Sequence, residues 1–283
     1  MRRFEYFEPA SLPEAVALLA RYQGRAQPLA GGTDLLVELK EQLRRADCVV
    51  NIKKIPGIGE LSFDARKGLR IGALVTAREI EVSPIAIKHY PSLVQAAREL
   101  GSIQVRNRAT IIGNVCRASP SADTLPPLIA DGAKVSIHGA RGMRSVLLED
   151  FFSGPGKTVL KPDELVTEIV VPAPPLRTGK IYIKHGRRKA MELATVGVAV
   201  TLTLEDEIRI VLGAVAPTPI RAKKAEALLR GRKIDAALIE QAARAALEDC
   251  RPISNVRASA DYRREMVGVL TRRALKQALD AIR

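Results

Sequence analysis

The sequence predicts an α+β protein of two domains, and three observations carry that expectation. A length of 283 residues corresponds to about two domains. Pro172, Pro174 and Pro175 form the clearest linker in the chain, which places a boundary between residues 175 and 176. Beyond it, three strand patterns precede three helix patterns, the order of a small α+β domain with a three-stranded antiparallel sheet.

The elements follow in order. Ser11 and Glu14 have capping-box spacing, Pro13 lies in the first turn, and Ala15, Leu18 and Leu19 define an apolar face that stops at Arg21 and Gly24. A strand over 26–30 runs into Gly31-Gly32-Thr33-Asp34, and a helix is expected over 35–44. Buried strands are expected at 48–52 and 69–74, and Thr76 with Glu79 repeats the capping box for the next helix. Residues 92–100 read as a helix closed by Gly101. The stretch 105–127 is polar-basic, contains glycine, and ends with three prolines in nine residues, so it reads as a structured loop. Strands at 134–138 and 165–171 bracket Phe151-Phe152 and the turn Gly154-Pro155-Gly156. After the linker, strands are expected at 180–184, 195–204 and 208–214, and helices at 223–229, 235–247 and 262–282.

With 47% apolar and 27% charged residues, the composition is that of a globular protein, which excludes a disordered or fibrous chain. No uncharged apolar run approaches the roughly 18 to 20 residues a membrane helix needs, so no membrane insertion is expected. Arg2 and Arg3 are followed at once by Glu5, Glu8 and Pro9, unlike a secretory leader, and a cytoplasmic location is expected. Cys48, Cys116 and Cys250 lie far apart without CxxC spacing, which suits a reducing compartment and fails the patterns of zinc or iron–sulfur sites. The net charge of +14 is concentrated after Leu176, where 22 Lys+Arg face 12 Asp+Glu. A basic face of this kind attracts nucleic acid or an acidic protein, and it is equally the look of solvated helix surfaces. At 4% aromatics, base-stacking platforms are scarce, and nucleic acid is not expected as a partner.

Two segments carry chemistry. Leu29-Ala30-Gly31-Gly32-Thr33-Asp34-Leu35 is a strand, a glycine turn and a helix start. Glycines admit close approach of the backbone to a ligand, and free amides at a helix start favour an anion such as a pyrophosphate. The spacing is neither GxGxxG nor a P-loop, and a plain turn capped by Thr33 or Asp34 reads equally well. The second segment is Arg106 to Asn114 followed by Ala118 to Asp123, and these two stretches gather two guanidiniums, two carboxamides, three hydroxyls, one glycine and one carboxylate within 18 residues. That set suits hydrogen bonding to a polar ligand, or a self-satisfied system of turns. No acid–base pair, nucleophile triad or metal cluster is recognisable, so no catalytic or metal-ligating residue is expected.

Read together, the motifs resemble the FAD-binding medium subunit of the molybdenum hydroxylases, the xanthine dehydrogenase and aerobic carbon monoxide dehydrogenase family. The resemblance runs from Phe4-Glu5-Tyr6 and Pro9-Ala10-Ser11-Leu12 through Ala30-Gly31-Gly32-Thr33-Asp34-Leu35 and Ile71-Gly72-Ala73. It continues in Gln104-Val105-Arg106-Asn107, Gly113-Asn114 and Ala118-Ser119-Pro120, and closes at Ala260-Asp261-Tyr262-Arg263-Arg264, similar to the SAxYR that opens the last helix of such subunits. It implies a two-subdomain FAD-binding domain of the vanillyl-alcohol-oxidase type, with subdomains of about 1–55 and 56–175, followed by the C-terminal domain 176–283. Leu29, Ala30, Gly31, Gly32, Thr33, Asp34 and Leu35 would then supply the first pyrophosphate loop. Thr110, Gly113, Asn114, Ser119 and Asp123 would bind phosphates and sugar or ribitol hydroxyls from the other side. Leu160 and Lys184 match the positions nearest the isoalloxazine ring, where a lysine stabilises negative charge on reduced flavin; a surface lysine on a strand is the alternative.

Such subunits usually read TIGGN, whereas this chain has Thr110-Ile111-Ile112-Gly113-Asn114. If the position of Ile112 requires a positive φ, a β-branched residue is strained there. Cys116 stands where related 4-hydroxybenzoyl-CoA reductase subunits begin a cysteine-rich insertion, which this chain lacks, so it is expected to be a buried or ligand-adjacent thiol. The implied function is that of a flavoprotein subunit. A large molybdenum-cofactor subunit oxidises the substrate, a small subunit with two [2Fe-2S] clusters relays electrons, and FAD passes them to an acceptor such as NAD⁺. A self-sufficient FAD-dependent oxidoreductase and a flavin-free binding protein with a basic C-terminal domain are the alternative readings.

Overall fold

A computed structural model describes residues 1–203 and 207–282. The chain opens with β1 (Glu5–Phe7) and α1 (Leu12–Tyr22). The Ser11 hydroxyl accepts from the Glu14 amide, and the Glu14 carboxylate reaches back to the Ala10 amide, so the expected cap is present one residue displaced on its return arm. β2 (Ala26–Leu29) leads into α2 (Leu35–Lys40), and β3 (Cys48–Asn51) inserts between β1 and β2 with both pairings parallel. The expected helix over 35–44 stops early because Gln42 adopts a left-handed φ of 58°.

β4 (Leu61–Asp64) and β5 (Gly68–Gly72) start a second sheet. A run of helices follows: α3 (Ala77–Val82), α4 (Pro84–His89), α5 (Pro91–Glu99), α6 (Ile103–Arg106), α7 (Ile111–Arg117) and α8 (Leu125–Ala130). The capping box at Thr76 and Glu79 is complete. The loop expected over 105–127 is corrected here: most of it is helical. Thr110 caps α7, Ile111, Ile112 and Val115 bury its apolar side, and Pro126 sits in the first turn of α8, where a missing amide hydrogen costs nothing.

The sheet is completed by β6 (Lys134–Gly139), β7 (Gly142–Leu147) and, after the hairpin β8 (Phe152–Gly154) and β9 (Lys157–Thr158), by β10 (Leu165–Val171). Its order is β4-β5-β10-β6-β7, antiparallel throughout.

After the prolines come β11 (Gly179–His185), β12 (Val196–Leu202), β13 (Ile208–Gly213) and β14 (Ile220–Arg221), one antiparallel sheet. The sheet therefore has four strands, not the expected three; Pro217 and Pro219 mask the two-residue fourth. Leu204, the last residue of the expected strand over 195–204, lies outside the described residues. α9 (Lys223–Leu229), α10 (Ala236–Asp249) and α11 (Ala260–Ile282) cover one face. Alternation along β12 explains how the halves join. Val196, Val198, Val200 and Leu202 pack with the C-terminal helices, while Ala199, with Tyr182 and Val211 from the neighbouring strands, joins the core of the first half. No helix among the described residues is long and apolar enough to cross a membrane.

Candidate functional site

The two candidate segments meet. A side chain on Gly31 would place its Cβ 1.9 Å from the Arg108 carbonyl oxygen, so only glycine lets the first turn lie against the backbone of the second. Gly32 has φ +78°, and a Cβ there would press on Leu29 and Leu36. Asp34 precedes α2 but makes no side-chain cap, and among the described residues the amides of Gly32, Thr33 and Asp34 have no partner. The Ala30 and Leu35 side chains pack on the two cores that flank the turn. Burial first, and the Arg108 charge second, push the Lys53 ammonium pKa down, so these two cations lie near each other. The free donors of the turn fit an anionic, phosphate-bearing group.

The second segment is wired internally. Thr110 Oγ1 accepts from the Gly113 amide at 3.0 Å, Ile111 N–H donates to the Val75 carbonyl, and Asn114 Oδ1 accepts from the Thr124 hydroxyl at 2.7 Å. Ile112 has ordinary helical backbone and a buried side chain, so the strain conditionally expected there is absent. Ser119 Oγ accepts from the Ser121 amide. Arg117, unremarked in the sequence, ties the segments together through Glu38 at 2.9 Å and approaches Asp34 at 4.0 Å. The β8–β9 hairpin joins the same region through the Gly156 amide, which donates to the Ala118 carbonyl; Leu160 follows it and packs on the main core. Cys116 is half-buried, and burial pushes its thiol up to about 12, an unreactive state.

Asp123 and Lys184 come together, which their 61-residue separation conceals. Asp123 is 6% exposed, accepting from Lys184 Nζ at 2.9 Å and from the Tyr182 hydroxyl at 2.8 Å. Burial raises its pKa to about 6, with Lys184 opposing that rise. Lys184 also donates to the carbonyls of Glu99 and Glu192, so its three N–H directions are all used and it is not a surface lysine. A second buried pair joins Lys180 to Asp131 at 2.7 Å. The two lysines lie four residues apart on β11, about 13 Å, and the two aspartates bracket α8 eight residues apart, about 12 Å of helical rise. These matched spacings fasten β11 along α8. The readable signal was the alternation Lys180-Ile181-Tyr182-Ile183-Lys184: the isoleucines join the C-terminal core, and the polar residues face the first half.

Comparison with known proteins agrees with this geometry. Residues 2–174 match the family "FAD binding domain in molybdopterin dehydrogenase", and residues 181–278 match "CO dehydrogenase flavoprotein C-terminal domain". The chain is 33% identical to the xanthine dehydrogenase FAD-binding subunit of Escherichia coli O157:H7, covering 98% of this chain and 96% of that protein. It superposes with TM-score 0.95 and 36% identity on a chain of carbon monoxide dehydrogenase from Hydrogenophaga pseudoflava, covering 99% and 98% of the two chains. For quinoline 2-oxidoreductase from Pseudomonas putida 86, the TM-score is 0.92 at 31% identity, with 100% and 99% covered. Family matches over both halves and superposition over the whole chain thus agree, and the chain belongs to the FAD-binding subunits of the molybdenum hydroxylases, oxidoreductases of the xanthine and carbon monoxide dehydrogenase type.

Proposed function

We propose that the chain is the flavoprotein of a molybdenum hydroxylase whose large subunit carries the molybdenum cofactor and whose small subunit carries the [2Fe-2S] clusters. The FAD-binding domain spans residues 1–175, in subdomains of about 1–55 and 56–175, and the C-terminal domain spans 176–283. The observation that carries this reading is the contact of Gly31 with the Arg108 backbone, which sets the free amides of Gly32, Thr33 and Asp34 beside the second segment.

Bound FAD supplies two-electron storage filled one electron at a time, between the partner clusters and an acceptor such as NAD⁺. The chain's own residues hold and orient it. Leu29 to Leu35 grip the pyrophosphate through backbone amides. Thr110, Gly113, Asn114, Ser119 and Asp123 complete the pocket for phosphate and hydroxyl groups. The Asp123 oxygens keep lone pairs for a ligand hydroxyl beyond those used by Tyr182 and Lys184. Leu160 and Lys184 would lie nearest the isoalloxazine ring, and Lys184, its three donor directions engaged by Glu99, Asp123 and Glu192, would be held in place by the fold. The relatives are named for xanthine, carbon monoxide and quinoline, which fits substrate choice residing in the large subunit.

Purification of the chain with its genomic neighbours tests the reading. A yellow chain that releases FAD on heating, recovered with a molybdenum subunit and an iron–sulfur subunit and reducing NAD⁺ when the complex meets its substrate, is the expected outcome. A chain that takes up no FAD, or that reduces its flavin with a substrate while free of partners, contradicts it.

A further inference from the structure

The SAxYR-like motif puts Arg263 in the first turn of α11, facing inward. The residue is 3% exposed, yet among the described residues no carboxylate pairs with it. Its Nη1 donates to the Thr195 carbonyl at 2.6 Å and the Ala214 carbonyl at 3.2 Å, its Nη2 donates to Asn255 Oδ1 at 2.9 Å, and its Nε has no partner. Burial pushes the guanidinium pKa down, so the fold bears a desolvation cost at this position. A charge held at such cost by two main-chain carbonyls indicates that those carbonyls need fixing.

Both lead to the same place. Ala214 is held at φ 64°, a left-handed conformation that alanine adopts only under constraint, and its amide donates to the Pro120 carbonyl at 2.8 Å. The Thr195 amide donates to the His185 carbonyl at 2.8 Å, closing the loop whose Glu192 carbonyl holds Lys184, and Lys184 in turn holds Asp123. One route ends on Pro120 and the other on Asp123, both within the segment Ser119–Asp123.

We propose that Arg263 is a positioning residue for the FAD site: by clamping the Thr195 and Ala214 carbonyls it sets the segment Ser119–Asp123, without touching flavin itself. This rests on the reading of that segment as part of the FAD site. The test compares the full-length wild type with Arg263→Met, Arg263→Lys and Asn255→Ala, measuring FAD release, the visible circular dichroism of bound flavin, and hydrogen exchange at the Ala214 amide. Loss of hydrogen bonds from a charged donor predicts release faster by about tenfold or more in Arg263→Met, with a changed flavin dichroism and faster Ala214 exchange. Lysine can still bridge the two carbonyls and restores most of the effect; Asn255→Ala, which leaves both carbonyls held, stays within about threefold of wild type. A folded Arg263→Met with a lowered melting temperature but unchanged release and dichroism overturns the proposal. If Arg263→Met does not fold, Arg263→Lys decides: faster Ala214 exchange together with moderately faster release supports the proposal, and faster exchange with release and dichroism unchanged overturns it. A wild type that takes up no FAD overturns this proposal and the FAD-site reading together, whereas a flavin-binding wild type with unaffected variants overturns this proposal alone.

Discussion

The two glycine-bearing segments are built on opposite plans. The first, around Gly31 and Gly32, leaves three successive amides without partners among the described residues, and the Asp34 side chain makes no cap to α2. The second, around Gly113, has its turn closed by Thr110, Val75 and Thr124 before any ligand arrives. One is completed by what it binds; the other is completed by the fold. Substitutions in the second are therefore expected to register in the stability of the chain itself, and those in the first to register in ligand binding.

The largest expected effect lies on the second side. Lys184→Met leaves Asp123 buried without its charged partner, which costs about 3 to 5 kcal/mol, read as a lower denaturant midpoint of the apo chain. Gly31→Ala is the exception within the first segment because it strikes the contact between the two: its Cβ meets the Arg108 backbone, costing about 3 kcal/mol and reducing FAD affinity as the two separate. Thr110→Ala removes the α7 cap for about 1 kcal/mol. Asp34→Ala, at an exposed carboxylate in the open segment, changes apo stability by less than about 0.5 kcal/mol; a loss as large as that of Thr110→Ala would break the comparison. The pH profile sharpens it. Asp123 takes its proton near pH 6 when folded, against an ordinary 3.8, so the folded state binds the proton more tightly. Relative to Asp123→Asn, wild-type stability then falls as pH rises from about 4 to about 6 and levels above that range, measured as the difference between the two melting curves.

Much of this architecture was legible along the chain. The capping box at Thr76, the N-cap at Ser11 and the bounds of β10 and α9 followed from local signals. The helices α6 to α8 did not, because runs of four to seven residues are too short to show a 3.6-residue period, and the prolines of α8 read as breakers although they occupy its first turn. The site divided the same way. Gly31, Gly32, Thr110 and Gly113 were visible because glycine and a cap residue mark backbone geometry. Arg117 with Glu38, Tyr182 and Lys184 with Asp123, and the grip of Arg263 on Thr195 and Ala214, are partnerships across the fold, and no local pattern announces them.

Amide hydrogen exchange of the chain with and without FAD tests the central claim most directly. The account predicts that FAD is taken up and that the gain in protection is greatest at Gly32, Thr33 and Asp34, with little change at Ile111, Gly113 and Asn114, which are already bonded. No uptake of FAD, or a gain greatest at the second segment with the first unchanged, would contradict it.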